Sequence, residues 1–300
     1  MKTQNIVVQR ILFLMLSVAV LSGCDREETL QPQSIFEQNE VESTNELDVY
    51  LKNEFRDPYG CNVIYKFVDR YIDPSKSAVP PRLDVVKPIA ELIKQAWIEP
   101  YNKASDQGEE FLRTYFPAEI VLLGSPLYNG DGTITLGIAD AGVRVTLTQA
   151  NDYAPGNKDW IVQTFRTLHH EFAHIVDQNF NFDVEAFYDI SNEDYTTPGT
   201  WTQETQNSAI ARGMVTPYAT SAVGEDFAET ISYIVTTDPA VFQATYLTAE
   251  DCTGQGQDCI DRNAGRVRIQ QKYDAVVKYM KEDVGIDLLV LRDEFLSSIN

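Results

Sequence analysis

The spacing of hydrophobic and polar positions changes character once along this chain, and that change divides it. From Trp160 onward apolar residues recur every three or four positions, the spacing of helices that bury one face. Upstream the pattern is mixed. Val63, Tyr65 and Phe67 alternate between Tyr59 and Asp69 and predict a strand. Pro80-Pro81 breaks the chain, after which Ile89, Leu92, Ile93 and Trp97 give helical spacing across Val85 to Tyr101. A shorter helix is expected from Glu109 to Tyr115, closed by Pro117. Three short β-branched runs follow, Glu119 to Gly124, Thr133 to Ala139 and Val143 to Thr148. Asn129-Gly130-Asp131-Gly132 and Asp140-Ala141-Gly142 separate them with turn chemistry, so hairpins are expected. The fold class is therefore α+β. A helix part with a small mixed sheet occupies about 48–155, and a largely helical half occupies about 156–300.

Residues 1–23 do not belong to that fold. Lys2 and Arg10 accompany an apolar stretch, Ile11 to Leu21, that is too short to span a bilayer and suits a signal peptide. It ends in Leu21-Ser22-Gly23-Cys24, which resembles the lipobox of bacterial lipoproteins; the resemblance implies cleavage before Cys24 and a lipid on that cysteine. The acidic start Cys24-Asp25-Arg26-Glu27-Glu28 resembles the surface-export signal of Bacteroidetes lipoproteins. It implies a lipid-anchored chain on the outer membrane at the cell surface, with the periplasmic face as the alternative. Residues 24–47 are polar and acidic and read as a flexible tether, leaving 48–300 as the folded domain. A formal net charge of -21 argues against a nucleic-acid partner, because phosphates would be repelled. Cys252 and Cys259 flank a Gly/Gln loop and could close a small disulfide in an oxidising compartment, which leaves Cys61 as a buried thiol. Asp251, Asp258 and Asp261 around that loop match no calcium-binding spacing, so the loop reads as a solvated turn.

The chain has three histidines, His169, His170 and His174, and all fall in one expected helix. His170-Glu171-Phe172-Ala173-His174 has the form H-E-x-x-H. At about 100° per residue, Ile161, Phe165, Leu168, Phe172, Ile175 and Val176 cluster on one side, while His170, His174 and Asp177 fall on the other. Imidazoles four residues apart lie one turn from each other, so both reach a single ion. Zinc in a catalytic site takes three protein ligands and an open position for water, beside which Glu171 could accept a proton. His169 points to the edge of the apolar stripe and reads as packing or hydrogen bonding. Asp177 is either an acceptor behind a ligand ring or a polar residue late in the helix.

With no fourth histidine, a carboxylate must complete the metal site. Gly224-Glu225-Asp226-Phe227-Ala228-Glu229 opens a second amphipathic helix, with Glu225 and Glu229 one turn apart on its polar side. Periodicity leaves Glu225 and Asp226 open as the third ligand, with Glu229 suited to hold a histidine ring. His170-Glu171-x-x-His174 followed by Glu225-x-x-x-Glu229 resembles the gluzincin arrangement, which implies Glu225 as the ligand. Tyr218-Ala219 ahead of Glu225-x-Phe227-Ala228-Glu229 resembles the catalytic domain of anthrax lethal factor and the pro-pro endopeptidases, which implies an oxyanion-stabilising role for Tyr218. The chain as a whole resembles Bacteroidetes substrate import-associated zinc metallohydrolases, relatives of zinc-binding metallopeptidases. These resemblances imply a zincin-like fold, one Zn2+ and hydrolysis of a peptide or protein substrate beside an outer-membrane nutrient importer. An alternative from another class is a surface binding lipoprotein with a structural or degenerate zinc site. Glu171 and Tyr218 weigh against it, since neither is needed merely to hold metal.

Overall fold

The computed structural model describes residues 43–68, 72–128, 130, 134–135, 137–140, 143–197 and 199–300. The signal peptide, Cys24 and the tether up to residue 42 lie outside the described residues, as do Asn129, Asp131, Gly132, Ala141 and Gly142 of the two turns. The chain divides into Met1–Thr44 and Asn45–Asn300, and the second unit carries the fold. Among the described residues no helix is long and apolar enough to cross a membrane.

Asn45 caps helix α1 (Glu46–Leu51) by accepting from the Leu47 and Asp48 N–H groups, and the helix runs on through a π turn to Tyr59. Strand β1 (Asn62–Ile64) follows. Helix α2 (Leu83–Ile93) continues through a π turn, Lys94–Ile98, into Glu99–Lys103, and α3 (Gly108–Tyr115) comes next. The remaining strands are β2 (Glu119–Leu122), β3 (Leu127–Tyr128), β4 (Ile134–Thr135), β5 (Gly137–Asp140) and β6 (Arg144–Leu147). The helical half holds α4 (Lys158–Asn179), α5 (Val184–Asp189), α6 (Gln206–Ala211), α7 (Val223–Thr236), α8 (Gln257–Tyr279) and α9 (Leu288–Ser298).

The main sheet has the order β1-β2-β6-β5, with β1, β2 and β6 parallel and β5 antiparallel to β6. In the centre Ile120 lies opposite Val145, and Glu119 lies opposite Arg144, whose Nε donates to Glu119 Oε2 at 2.7 Å. The α+β class with a small mixed sheet is what the pattern predicts, but two local expectations change. The strand expected over Tyr59 to Asp69 is only Asn62–Ile64. Gly60 stops the preceding helix in the left-handed region, and after Ile64 the Tyr65 hydroxyl bonds Asp48 at 2.6 Å instead of extending the ladder. Hairpins account for β3–β4 and β5–β6 alone. β1 and β2 run parallel because α2 and α3 form the long crossover that a parallel pair requires, and the β3–β5 segment separates β2 from its second parallel neighbour, β6.

α4 packs on β5 and β6 from one side and against α7 from the other, with α9 also against α7. The core joins these layers through Trp97, Tyr101, Phe165, Phe172, Phe227 and Phe295, all under 3% exposed. α8 lies directly on α6. Gly265 makes this contact, since a methyl group there would overlap the Ile210 carbonyl. Cys252 and Cys259 form a disulfide at the start of α8, and Cys61 is a buried free thiol.

Candidate metal centre

Asn157 opens α4, its side chain accepting from Trp160 N–H at 3.2 Å. The two central residues of the motif, Phe172 and Ala173, are buried. The Phe172 ring meets Trp97, Tyr101 and Phe111 edge-on at centroid distances of 5.4, 5.3 and 5.9 Å. This aromatic socket fixes the rotation of α4 about its axis. His170 and His174 are thereby turned toward the first turns of α7, which present Glu225 and Glu229.

His170 Nε2 lies 3.0 Å from Glu225 Oε2 and 3.2 Å from His174 Nε2. His174 Nε2 lies 3.4 Å from the same Glu225 oxygen. Donor atoms held at zinc–ligand bond lengths around a tetrahedral ion stand about 3.3 Å apart. Two imidazole nitrogens and a carboxylate oxygen, all lone-pair acceptors, are stable at this separation when a cation or proton lies between them. The donor set and its spacing therefore fit zinc. His170 Nδ1 is 2.8 Å from Glu229 Oε1, which assigns the ring proton to Nδ1 and frees Nε2 for metal.

The electrostatics agree with this arrangement. Burial acts to lower the pKa of His170, but its hydrogen bonds to Glu225 and Glu229 outweigh burial and push it up to about 10. Burial acts to raise Glu225, and the two imidazoles overcome it and hold this carboxyl well below its usual range. Glu171 is raised, chiefly by burial, with His170 and His174 opposing. Burial, and then the Glu225 carboxylate, raise Tyr218, so its hydroxyl stays protonated and available as a donor.

The structure brings His170, Glu171, His174, Tyr218, Glu225 and Glu229 into one place. The Tyr218 ring lies 5.8 Å from that of His170. Asp177 is within electrostatic reach of His174 but has no hydrogen bond to it, so it does not orient that ring. His169 is packing alone: it is fully buried between Tyr101 and Phe295, and neither ring nitrogen has a hydrogen-bond partner among the described residues.

Asp226 departs from the expectation most. It lies off the apolar stripe, as periodicity says, yet it is 0% exposed and faces away from the histidines. There it meets Lys272 Nζ at 2.5 Å and the Tyr195 hydroxyl at 2.8 Å. Three residues beyond the sequence reading also build the site. Thr216 donates to Glu229, Trp201 packs edge-on against Tyr218 at 5.0 Å, and Lys272 braces Asp226. A signal exists for Lys272, which falls on the buried face of α8 with Ile269, Val276 and Tyr279. Thr216 lies outside regular structure and Trp201 in a single 3-10 turn, where no periodicity points.

Two imidazoles one turn apart, a carboxylate from a second helix and a glutamate inside the motif make this a zinc-type hydrolase centre on an α+β scaffold. The chain belongs to the family described as "Putative zinc-binding metallo-peptidase", whose profile matches residues 40–289. It is similar to a crystal structure of a protein of the same description from Bacteroides caccae, with a TM-score of 0.68 and 31% identity. That likeness covers 85% of this chain and 91% of the other. Comparison with curated proteins gave no match.

Proposed function

We propose that this chain is a gluzincin-type metallopeptidase that hydrolyses peptide bonds at a single zinc held by His170, His174 and Glu225. The observation that carries the proposal is the convergence of those three donor atoms within 3.0–3.4 Å, with Glu171 and Tyr218 around them. Zinc, when bound, supplies Lewis acidity toward water and toward a carbonyl group. Glu171 accepts a proton from the attacking water and returns it to the departing amine, roles that suit a carboxyl whose pKa burial has raised. Tyr218, kept protonated by its surroundings, donates to the oxygen on which negative charge develops. Glu229 holds the His170 ring through Nδ1.

We also propose that the mature chain is anchored through lipid on Cys24 to the outer membrane, facing the cell surface, and works beside a nutrient importer. This rests on the Ile11–Leu21 apolar run, the Leu21-Ser22-Gly23-Cys24 motif and the acidic residues after it. The test of the chemistry is digestion of a peptide library by the zinc-loaded chain alongside Glu171→Gln, with metal content measured for both. The expected result is stoichiometric zinc in both proteins and a loss of cleavage of at least about 100-fold in the variant. A chain that binds no zinc, or a variant that cleaves as well as the parent, rejects the mechanism and returns the binding-protein alternative.

A further inference from the structure

Resting on the zinc-site reading above, we propose that Thr216 is a positioning residue whose single hydroxyl sets both a metal-ligand ring and the turn that carries Tyr218. Thr216 is 5% exposed and precedes the short 3-10 turn Tyr218–Ser221. Its Oγ1 donates to Glu229 Oε2 at 2.6 Å and accepts from the Ala219 N–H at 3.1 Å. The other Glu229 oxygen faces His170 Nδ1 at 2.8 Å. A threonine hydroxyl has one proton to give and lone pairs to receive with, and both capacities are engaged here. The resulting chain runs from Ala219 N–H to Thr216, then to Glu229 and to the ligand ring.

The consequence is geometric. Glu229 can hold the His170 ring at one angle only while its second oxygen is itself held, and the hydroxyl of Thr216 does the holding. The same oxygen ties down the backbone of the residue after Tyr218. Both halves of the site, the ring that takes the metal and the tyrosine that meets the substrate oxygen, are thus referred to one atom. The rings of His170 and Tyr218 also approach to 5.8 Å, but they come from separate elements: α4 carries the histidines on the side away from its apolar stripe, whereas Tyr218 opens a short 3-10 turn. Partners behind ligating histidines carry about 10- to 100-fold in metal affinity or activity, and a residue one bond further out belongs at the lower end.

The test compares Thr216→Val, which keeps the shape and removes the hydroxyl, with Thr216→Ser, which keeps the hydroxyl. Zinc affinity is measured by chelator competition, kcat and KM on a cleaved peptide, and unfolding on the metal-free proteins. The expected result for Thr216→Val is zinc bound about tenfold more weakly and a lower kcat with KM little changed; Thr216→Ser is expected to restore both. In a Glu229→Gln background, Thr216→Val is expected to weaken zinc binding by less than about a further twofold, because its effect on the ligand ring passes through Glu229. Parental zinc affinity in Thr216→Val, a Thr216→Ser protein as impaired as the valine variant, or a full additional loss of zinc affinity in the Glu229→Gln background each overturns the proposal. If Thr216→Val does not fold, Thr216→Ala gives the same comparison. A parent protein that binds no zinc overturns the underlying reading along with this one, whereas a zinc-binding parent matched by Thr216→Val overturns this one alone.

Discussion

Replacing Lys272 by Met tests whether the segment opposite the zinc helix is held by a buried charge pair. Lys272 and Asp226 have side chains 1% and 0% exposed. The ammonium bonds Asp226 Oδ2 at 2.5 Å and the Gly213 carbonyl at 3.0 Å, and it lies 5.4 Å from the Phe187 ring centroid. Burial pushes each partner toward its neutral form, raising Asp226 and lowering Lys272, and the pair persists because each answers the other. Methionine keeps the apolar stem and removes the charge. Asp226 then retains Tyr195 alone among its side-chain donors, and breaking such a pair from one side costs about 3–5 kcal/mol. Asp226 has one escape, to take up a proton. For a carboxyl with an ordinary value of 3.8 that costs about 4.4 kcal/mol at pH 7, which caps the loss near the same figure.

The sign follows from which state holds the proton. In Lys272→Met the native state binds a proton on Asp226 at pH values where the unfolded chain does not, so the deficit shrinks as pH falls. Urea unfolding of the metal-free proteins at pH 7 and pH 5.5 measures it, and the expected loss of about 4 kcal/mol at pH 7 falls by about 2 kcal/mol at pH 5.5. Adding Asp226→Asn to Lys272→Met is expected to recover most of the loss. A single-variant loss below about 1 kcal/mol, or a deficit that does not change with pH, refutes the reasoning.

His169 gives a second pH effect of the opposite sense. Burial lowers its pKa from 6.5 to about 3, so below pH 6.5 the unfolded chain gains a proton that the native chain refuses. Stability of the metal-free protein should therefore drop by about 1.4 kcal/mol per pH unit from that group between pH 6.5 and 3, and His169→Leu should flatten the acid limb of the unfolding curve; equal slopes would dismiss the assignment. For the anchor, Cys24→Ser is expected to move the chain from the membrane fraction to the soluble fraction, and retention in the membrane fraction would rule out lipid on Cys24 as the tie.

The parts of the fold and site that the sequence makes legible are those built by apolar periodicity. The helix bearing His170 and His174 is readable because Phe165, Leu168, Phe172 and Val176 recur at helical spacing, and the same residues bury it. Glu225 and Glu229 are readable because α7 has its own stripe in Phe227, Ile231 and Ile234. Asp226 shows the limit of this kind of reading. A position off the stripe can face solvent, the metal or a buried cation on another helix, and only the packing of α8 decides for Lys272. The parallel pairing of β2 was likewise hidden, because a β-branched run carries no mark of its partner's direction.

The two walls of the site are therefore fixed in different ways. α4 is set by an aromatic socket around Phe172, a contact that tolerates no rotation without losing apolar burial. The facing wall, from Gly213 to Glu229, adds directed polar bonds to the apolar stripe of α7: Lys272 to Gly213 and Asp226, and Thr216 to Glu229 and Ala219. Gly213 is suited to start that wall, since its left-handed φ of 82° turns the chain out of α6 and brings its carbonyl to the Lys272 ammonium. Apolar packing gives a position to within the slack of a side chain, whereas a hydrogen bond specifies distance and angle together. Placing the histidines on the first kind of wall and the carboxylates and tyrosine on the second puts the directional contacts on the side where donors must be aimed at a reacting oxygen.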